Sequence, residues 1–313
     1  MRKIEGLIAA VFTPFNNDGS PNLNMIPLIV EKMVADGLKG IFVCGTNGEG
    51  LNMTIEERMQ VSEKFVSSAN KRILVFVHVG HSSIAESKKL AIHAAAIGAD
   101  AISSVPAFYF KPSSVQNLVT CIAEIASAAP NLPYYYYHVP AVTGNIDIVD
   151  FLDACNKKIP NLAGIKFTSS VLHEFQLCLG YDHGKYDMLS GFDEMLLSAL
   201  AVGANGAVGS TYNFAAPFYH DIISSFKKGD ILKARALQAK VVEMIRILFK
   251  FSPIPAQRAI MKMLGYNLGP CRLPLVDLTD AEFILLKESL DTIDFFHLLK
   301  QYRESNSPVS LDK

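Results

Sequence analysis

"GIFVCGTNGEGLNMTIEERMQVSEKFVSSANKRILVFVHVG", residues 40–80, holds one full turn of a repeating plan. Its two apolar runs, "GIFVCG" (40–45) and "ILVFVHVG" (73–80), are continuous rather than alternating, as in strands buried on both faces. Between them "TIEERMQVSEKFVSSAN" (54–70) reads as a helix, and Thr54 with Glu57 three residues on makes a capping box at its start. Strand, helix and strand joined by short links predict a parallel pair.

The plan extends in both directions. Before it stand the strand "GLIAAVFTPF" (6–15) and the helix "NLNMIPLIVEKMVADG" (22–37). After it come "SIAESKKLAIHAAAIG", "DAISSVP", "SSVQNLVTCIAEIASAA", "PYYYYHVP", "IVDFLDACNKK" and "LAGIKFTS", with a short helix over 173–181. "YDMLSGFD", "EMLLSALAVG", "NGAVGST" and "AAPFYHDIISSFKKG" complete the series. Eight strand–helix units in about 225 residues predict a closed (β/α)8 TIM barrel. An open doubly wound sheet is the alternative, but no GxGxxG follows the first strand. After Gly229 the strand signals stop, and "DILKARALQAKVVEMIRILFKF", "PAQRAIMKMLG" and "DAEFILLKESLDTIDFFHLLKQY" read as three helices. The expected division is a barrel over 1–229 and a C-terminal helical region over 230–313, with a frayed polar tail "RESNSPVSLDK".

Half of the 313 residues are hydrophobic and 19% are charged, with a formal net charge of −1. Without a long basic or acidic block, nothing calls for nucleic acid or an anionic membrane. No uninterrupted apolar span reaches membrane length. In "MRKIEGLIAAVFTPF" Glu5 interrupts the apolar run and no small-residue cleavage site follows, so a first strand is expected rather than a signal peptide. Cys44, Cys121, Cys155, Cys178 and Cys271 are scattered and never form CxxC. They read as buried small hydrophobes of a reducing, cytoplasmic compartment.

In such a barrel the active site lies at the C-terminal ends of the strands. Lys166 and Thr168 are two apart, so they share a face, and Ile165 and Phe167 take the other. A lysine inside a barrel is either paired with a buried carboxylate or an amine whose pKa burial lowers until it can attack a carbonyl. Tyr137, one strand earlier, is either a packing residue or a proton carrier that needs help to act as a base. The loop "GTNGEG" (45–50) lacks the GK[ST] ending of a phosphate loop. It is either a tight glycine turn or a carboxylate cradle built on Thr46 and Asn47. His78 and His81 point to opposite faces of a strand and make a poor ligand pair, so no metal or other cofactor is expected. His93 and His138 read as core or helix-face residues.

From "VFTPF" through "GTNGEG", "YYYYHVPAVTG", "GIKFTSS", "GFDEMLLSAL" and "GANGAVGSTYN" to "GPCRLPL", the chain resembles the pyruvate-dependent class I aldolase and lyase family. "KFTSS" and "GSTYN" are similar to its sialic acid lyase branch. The synthase branch places an arginine where this chain has Val142 and an acidic residue where it has Phe167.

The resemblance implies a retro-aldol cleavage of a sugar acid through a Schiff base on Lys166, with Tyr137 as the proton acceptor. Thr46 and Asn47 would hold the substrate carboxylate, and Thr46 with Tyr109 of a neighbouring subunit would relay the proton. Thr168, Gly191, Asp193, Glu194 and Ser210 would hold the sugar tail. It also implies a homotetramer acting on a small molecule. Two positions depart from the pattern: Asn47 replaces the usual threonine, and Phe192 replaces a tyrosine frequent in bacterial lyases. The competing expectations are another pyruvate-dependent sugar-acid aldolase or a synthase-like enzyme of the same family, and a keto-acid sensor without chemistry.

Overall fold

A computed structural model describes residues 3–144 and 146–306. Its eight strands are β1 (Gly6–Ala10), β2 (Gly40–Val43), β3 (Leu74–His78), β4 (Ala101–Ser104), β5 (Tyr134–His138), β6 (Leu162–Phe167), β7 (Asp187–Ser190) and β8 (Gly206–Gly209). All pair in parallel and in chain order, and β8 closes on β1, which makes the (β/α)8 barrel. Helices α1 (Ile26–Ala35), α2 (Ile55–Ala69), α3 (Ile84–Ala96) and α4 (Val115–Ser127) follow the first four strands. After β5 come α5 (Pro140–Thr143) and α6 (Ile148–Cys155), then α7 (Leu172–Gly180), α8 (Leu196–Ala201) and α9 (Tyr212–Lys227) after the last three strands. The Thr54–Glu57 capping box forms as its spacing predicts.

The strands are buried on both faces, which is why they read as apolar runs. Their outer residues, such as Ile41, Val77, Ile165 and Phe167, join the helices in one large core. Their inner residues form a second core of Ile8, Phe42, Phe76, Tyr135, Tyr137, Leu189 and Val208. Phe76 meets Tyr135 edge-on at 5.0 Å, and Phe42 meets Tyr137 edge-on at 5.9 Å. Each buried aromatic ring contributes about 1.5–3 kcal/mol by leaving water, so this column sets a firm floor under the site above it.

Four helices complete the described chain: α10 (Ile231–Leu248), α11 (Pro253–Met263), α12 (Asp280–Asp291) and α13 (Phe295–Asn306). The segment expected as one helix over 280–302 is thus two, separated by a turn in which Asp294 takes a left-handed φ of 54°. The break lets each half bury its own apolar residues, Leu286 and Leu290 on α12, Phe295 and Leu299 on α13. The first strand is also shorter than the run 6–15, because the chain turns away after Ala10 to set Phe15 under the guanidinium groups of Arg258 and Arg272. Helix α9 starts before Ala215, at Tyr212, and is kinked at Ala215 two residues before Pro217. Cys44, Cys155 and Cys178 are buried, whereas Cys121 and Cys271 are half-buried. Residues 1–2 and 307–313, including most of the expected frayed tail, lie outside the described residues.

Gly164 shows how tightly β6 and β7 approach: a Cβ there would overlap the Asp187 carbonyl and crowd the Tyr135 ring. Gly164→Ala is therefore expected to lower stability by more than about 3 kcal/mol in denaturant unfolding. Gly180→Ala, with open space around a helical backbone, is expected to change it by less than about 1 kcal/mol. Equal effects would contradict the packing described.

Candidate active site

Register builds the centre of the site. Parallel pairing of β5 with β6 sets Tyr137 directly opposite Lys166, both turned into the barrel. Lys166 is 5% exposed, and its Nζ lies 3.9 Å from the Tyr137 ring centroid and 4.6 Å from that of Phe42. Among the described residues the nitrogen forms no ion pair; aromatic faces stand where a carboxylate would otherwise be. Burial alone would raise the Tyr137 phenol, but the Lys166 charge and contacts with Lys166, Thr46 and Thr168 outweigh it, and the phenol lies below its ordinary range. The Thr168 hydroxyl, beside that phenol, is buried without a well-formed hydrogen bond.

A cavity of about 370 Å³ opens above this pair, within the range of small-molecule sites of about 300–1,000 Å³. Thr46, Asn47, Tyr137, Lys166, Gly191, Asp193, Glu194 and Ser210 all line it, so the structure brings together eight of the ten residues singled out from the sequence. Thr168 sits at its edge, against Gly191. Tyr109 is not brought in: it is 78% exposed on the loop after β4, edge-on to Phe110, which is 84% exposed.

The β2 loop is held from a distance. The Glu49 carboxylate accepts the Arg272 backbone N–H at 2.9 Å and lies 3.5 Å from the Arg258 guanidinium. Arg258 also donates to the carbonyls of Thr13 and Leu268, both at 2.8 Å, and Arg272 grips the Glu57 carboxylate with both nitrogens. Burial pushes the Glu49 carboxyl up despite these partners. Thr13 donates to the Gly48 carbonyl at 2.7 Å. Thr46 and Asn47 thereby sit on a loop anchored by its neighbouring residues Gly48 and Glu49.

Asp193 is turned partly inward. One oxygen accepts both the Thr211 N–H at 2.8 Å and the Thr211 hydroxyl at 2.6 Å. The other rests where a side chain on Gly209 would stand, so only glycine there lets the carboxylate in. From α10, Gln238 donates to the Glu194 carbonyl at 3.0 Å and accepts the Leu197 N–H at 2.9 Å. His78 is buried in the barrel, its ring 6.1 Å from that of Tyr137, and its Nε2 receives the Val105 N–H at 3.3 Å. Burial first, then the Arg58 and Lys166 charges, hold it well below its usual range, so it is neutral.

Sequence reasoning missed Thr211, Glu49, Gln238 and a whole wall of the cavity supplied by α10 and α11: Ile245, Leu248, Phe249, Pro253 and Gln257. No local pattern marks that wall, since its residues sit on ordinary amphipathic helices. Glu49 did carry a signal, an acid two residues beyond Asn47 in an otherwise small-residue loop. Among the described residues, no three His, Cys, Asp or Glu side chains converge as metal ligands would.

Burial raises the Asp193 carboxyl to about 6, against the pull of the Thr211 hydrogen bonds. In the unfolded chain it titrates near 3.8, so the folded protein holds the extra proton between these values. Stability from this group is therefore present at low pH and lost as pH rises from about 4 to about 6. Relative to Asp193→Asn, the wild type is expected to lose on the order of 2 kcal/mol across that window in urea titrations. Parallel pH curves for the two proteins would contradict it.

Comparison with known proteins agrees with the barrel fold. The chain matches the model of the dihydrodipicolinate synthetase family over residues 3–292. It is 43% identical over 279 residues to N-acetylneuraminate lyase A of Xenopus laevis, covering 88% of this chain and 91% of that one. Among solved structures, N-acetylneuraminate lyase (sialic acid aldolase) from Aliivibrio salmonicida superposes with a TM-score of 0.92 at 41% identity, covering 94% of this chain and 98% of that one. The Proteus mirabilis N-acetylneuraminate lyase does so with a TM-score of 0.91 at 39% identity, covering 94% and 100%. By motif order, barrel geometry and a family match that spans nearly its whole length, the chain belongs to the dihydrodipicolinate synthetase family.

Proposed function

We propose that the chain is an N-acetylneuraminate lyase, cleaving the open-chain sugar acid reversibly to pyruvate and N-acetylmannosamine. The observation that carries this reading is Lys166, buried beside Tyr137 at the floor of the cavity with no ion pair among the described residues. A nitrogen not tied to a carboxylate is available to bond to carbon.

Lys166 Nζ adds to the C2 ketone, water leaves, and the protonated imine becomes an electron sink. Tyr137, its phenol shifted toward ionisation by Lys166, takes the proton of the C4 hydroxyl, helped by the substrate carboxylate. The C3–C4 bond breaks, its electrons pass into the imine to give an enamine, and the aldehyde departs. Protonation at C3 and hydrolysis then return pyruvate and the free lysine. Thr46 and Asn47 hold the carboxylate, and Thr168, Gly191, Asp193, Glu194 and Ser210 line the path of the hydroxylated tail. Asn47 keeps a donor through its amide, and Phe192 leaves one fewer hydroxyl near the sugar. Val142 gives no cation for the second carboxylate that a synthase-type substrate carries.

Tyr109 completes the relay with Thr46 from a neighbouring subunit of a cytoplasmic homotetramer. Its exposure together with Phe110 in the single chain supports that placement, because so large an aromatic pair is expected to be covered. Residues 1–229 carry the chemistry, and the helices after 229 brace it.

Incubation with pyruvate and borohydride, followed by peptide mapping, tests the mechanism. The wild type is expected to carry a pyruvyl adduct on the Lys166 peptide and Lys166→Ala none; a wild type without adduct would overturn it. Tyr137→Phe should still form the adduct yet cleave N-acetylneuraminate about 10²–10⁴-fold more slowly. Undiminished cleavage would remove Tyr137 from its role.

A further inference from the structure

Gln257 lies on α11, 91 residues beyond Lys166 in the chain, yet its side chain lines the same cavity. It is 6% exposed, and its Oε1 is buried with no hydrogen-bond partner among the described residues. A buried acceptor left unmatched costs stability, so one kept on a residue that lines a cavity calls for a partner. Arg258, the next residue, differs sharply: both of its terminal nitrogens are committed to backbone carbonyls. Scaffold partners are thus available to α11, and the Gln257 Oε1 takes none among the described residues.

Its surroundings indicate which part of a substrate it would meet. Gln257 shares its wall with Ile245, Leu248, Phe249 and Pro253, and is the one amide among these apolar side chains. Helix α10, which supplies Ile245 and Leu248 and ends at Phe249, is tied through Gln238 to the β7 loop that carries Asp193 and Glu194. The carboxylate end already has its donors in Thr46 and Asn47. A terminal amide turns about its last torsion and can offer either oxygen or NH2, which suits a hydroxyl or an acetamide, groups that both donate and accept.

We propose that Gln257 is a specificity residue that hydrogen-bonds the polyhydroxylated, acetamide-bearing aldehyde half of the substrate and takes no part in holding the pyruvate half. This rests on the lyase reading above. The partner is supplied by the substrate, and the free protein tolerates the unmatched amide until then.

The test is Gln257→Met, close in volume and without the amide. In the condensation direction its KM for N-acetylmannosamine is expected to rise about tenfold, with kcat within about twofold. Its KM for pyruvate and its borohydride trapping should equal those of the wild type. The melting temperature of the free enzyme should hold or rise, since a buried unmatched acceptor is gone. A parallel rise in both KM values, an N-acetylmannosamine KM within twofold of wild type, or a lowered melting temperature would overturn the assignment. The lyase reading is judged separately on the wild type: trapping without condensation with N-acetylmannosamine would refute that reading, whatever the variant does.

Discussion

The molecule is organised around one adjacency, the parallel pairing that sets Tyr137 of β5 against Lys166 of β6 inside the barrel. A lysine there makes an ion pair, or it is held by softer contacts that leave its nitrogen available. The rings of Phe42 and Tyr137 provide the second arrangement. In turn the lysine charge draws the phenol toward ionisation. Had β5 and β6 slipped by one residue, the tyrosine would face the helices and the pair would be lost.

What surrounds that pair is held by residues far away in the chain. Glu49, buried in the loop after β2, meets Arg258 of α11 and the Arg272 backbone, while Gln238 of α10 fastens the loop after β7. The helices beyond the eighth strand therefore brace two parts of the cavity rim and furnish its apolar wall. This division of labour explains why charged residues are buried there at all: removing one partner would leave the other charge unmatched in a poor solvent.

Much of the architecture was legible because strand and helix periodicities are local. Continuous apolar runs, the Thr54–Glu57 box and the order of motifs led to the barrel and to the strand ends where chemistry belongs. The face shared by Lys166 and Thr168 followed from a period of two alone. Less legible were the ends of elements, which respond to what packs against them. The helix expected over 280–302 breaks at Asp294 because two apolar faces point in different directions, and β1 stops at Ala10 because Phe15 is drawn beneath two arginines. Asp193, expected among the tail-binding groups, spends one oxygen on Thr211, a contact no spacing rule announces.

By itself the sequence determined the (β/α)8 class and the residue types gathered at the strand ends, since both are written in short-range pattern. Only the tertiary structure decided that Tyr137 and Lys166 stand side by side, that Glu49 meets Arg258 across the chain, and that Gln257, its Oε1 unmatched among the described residues, lines the same cavity. Those facts depend on barrel closure and on how α10 and α11 settle over its rim. Contacts between residues hundreds of positions apart arise from packing, and local pattern carries no record of them.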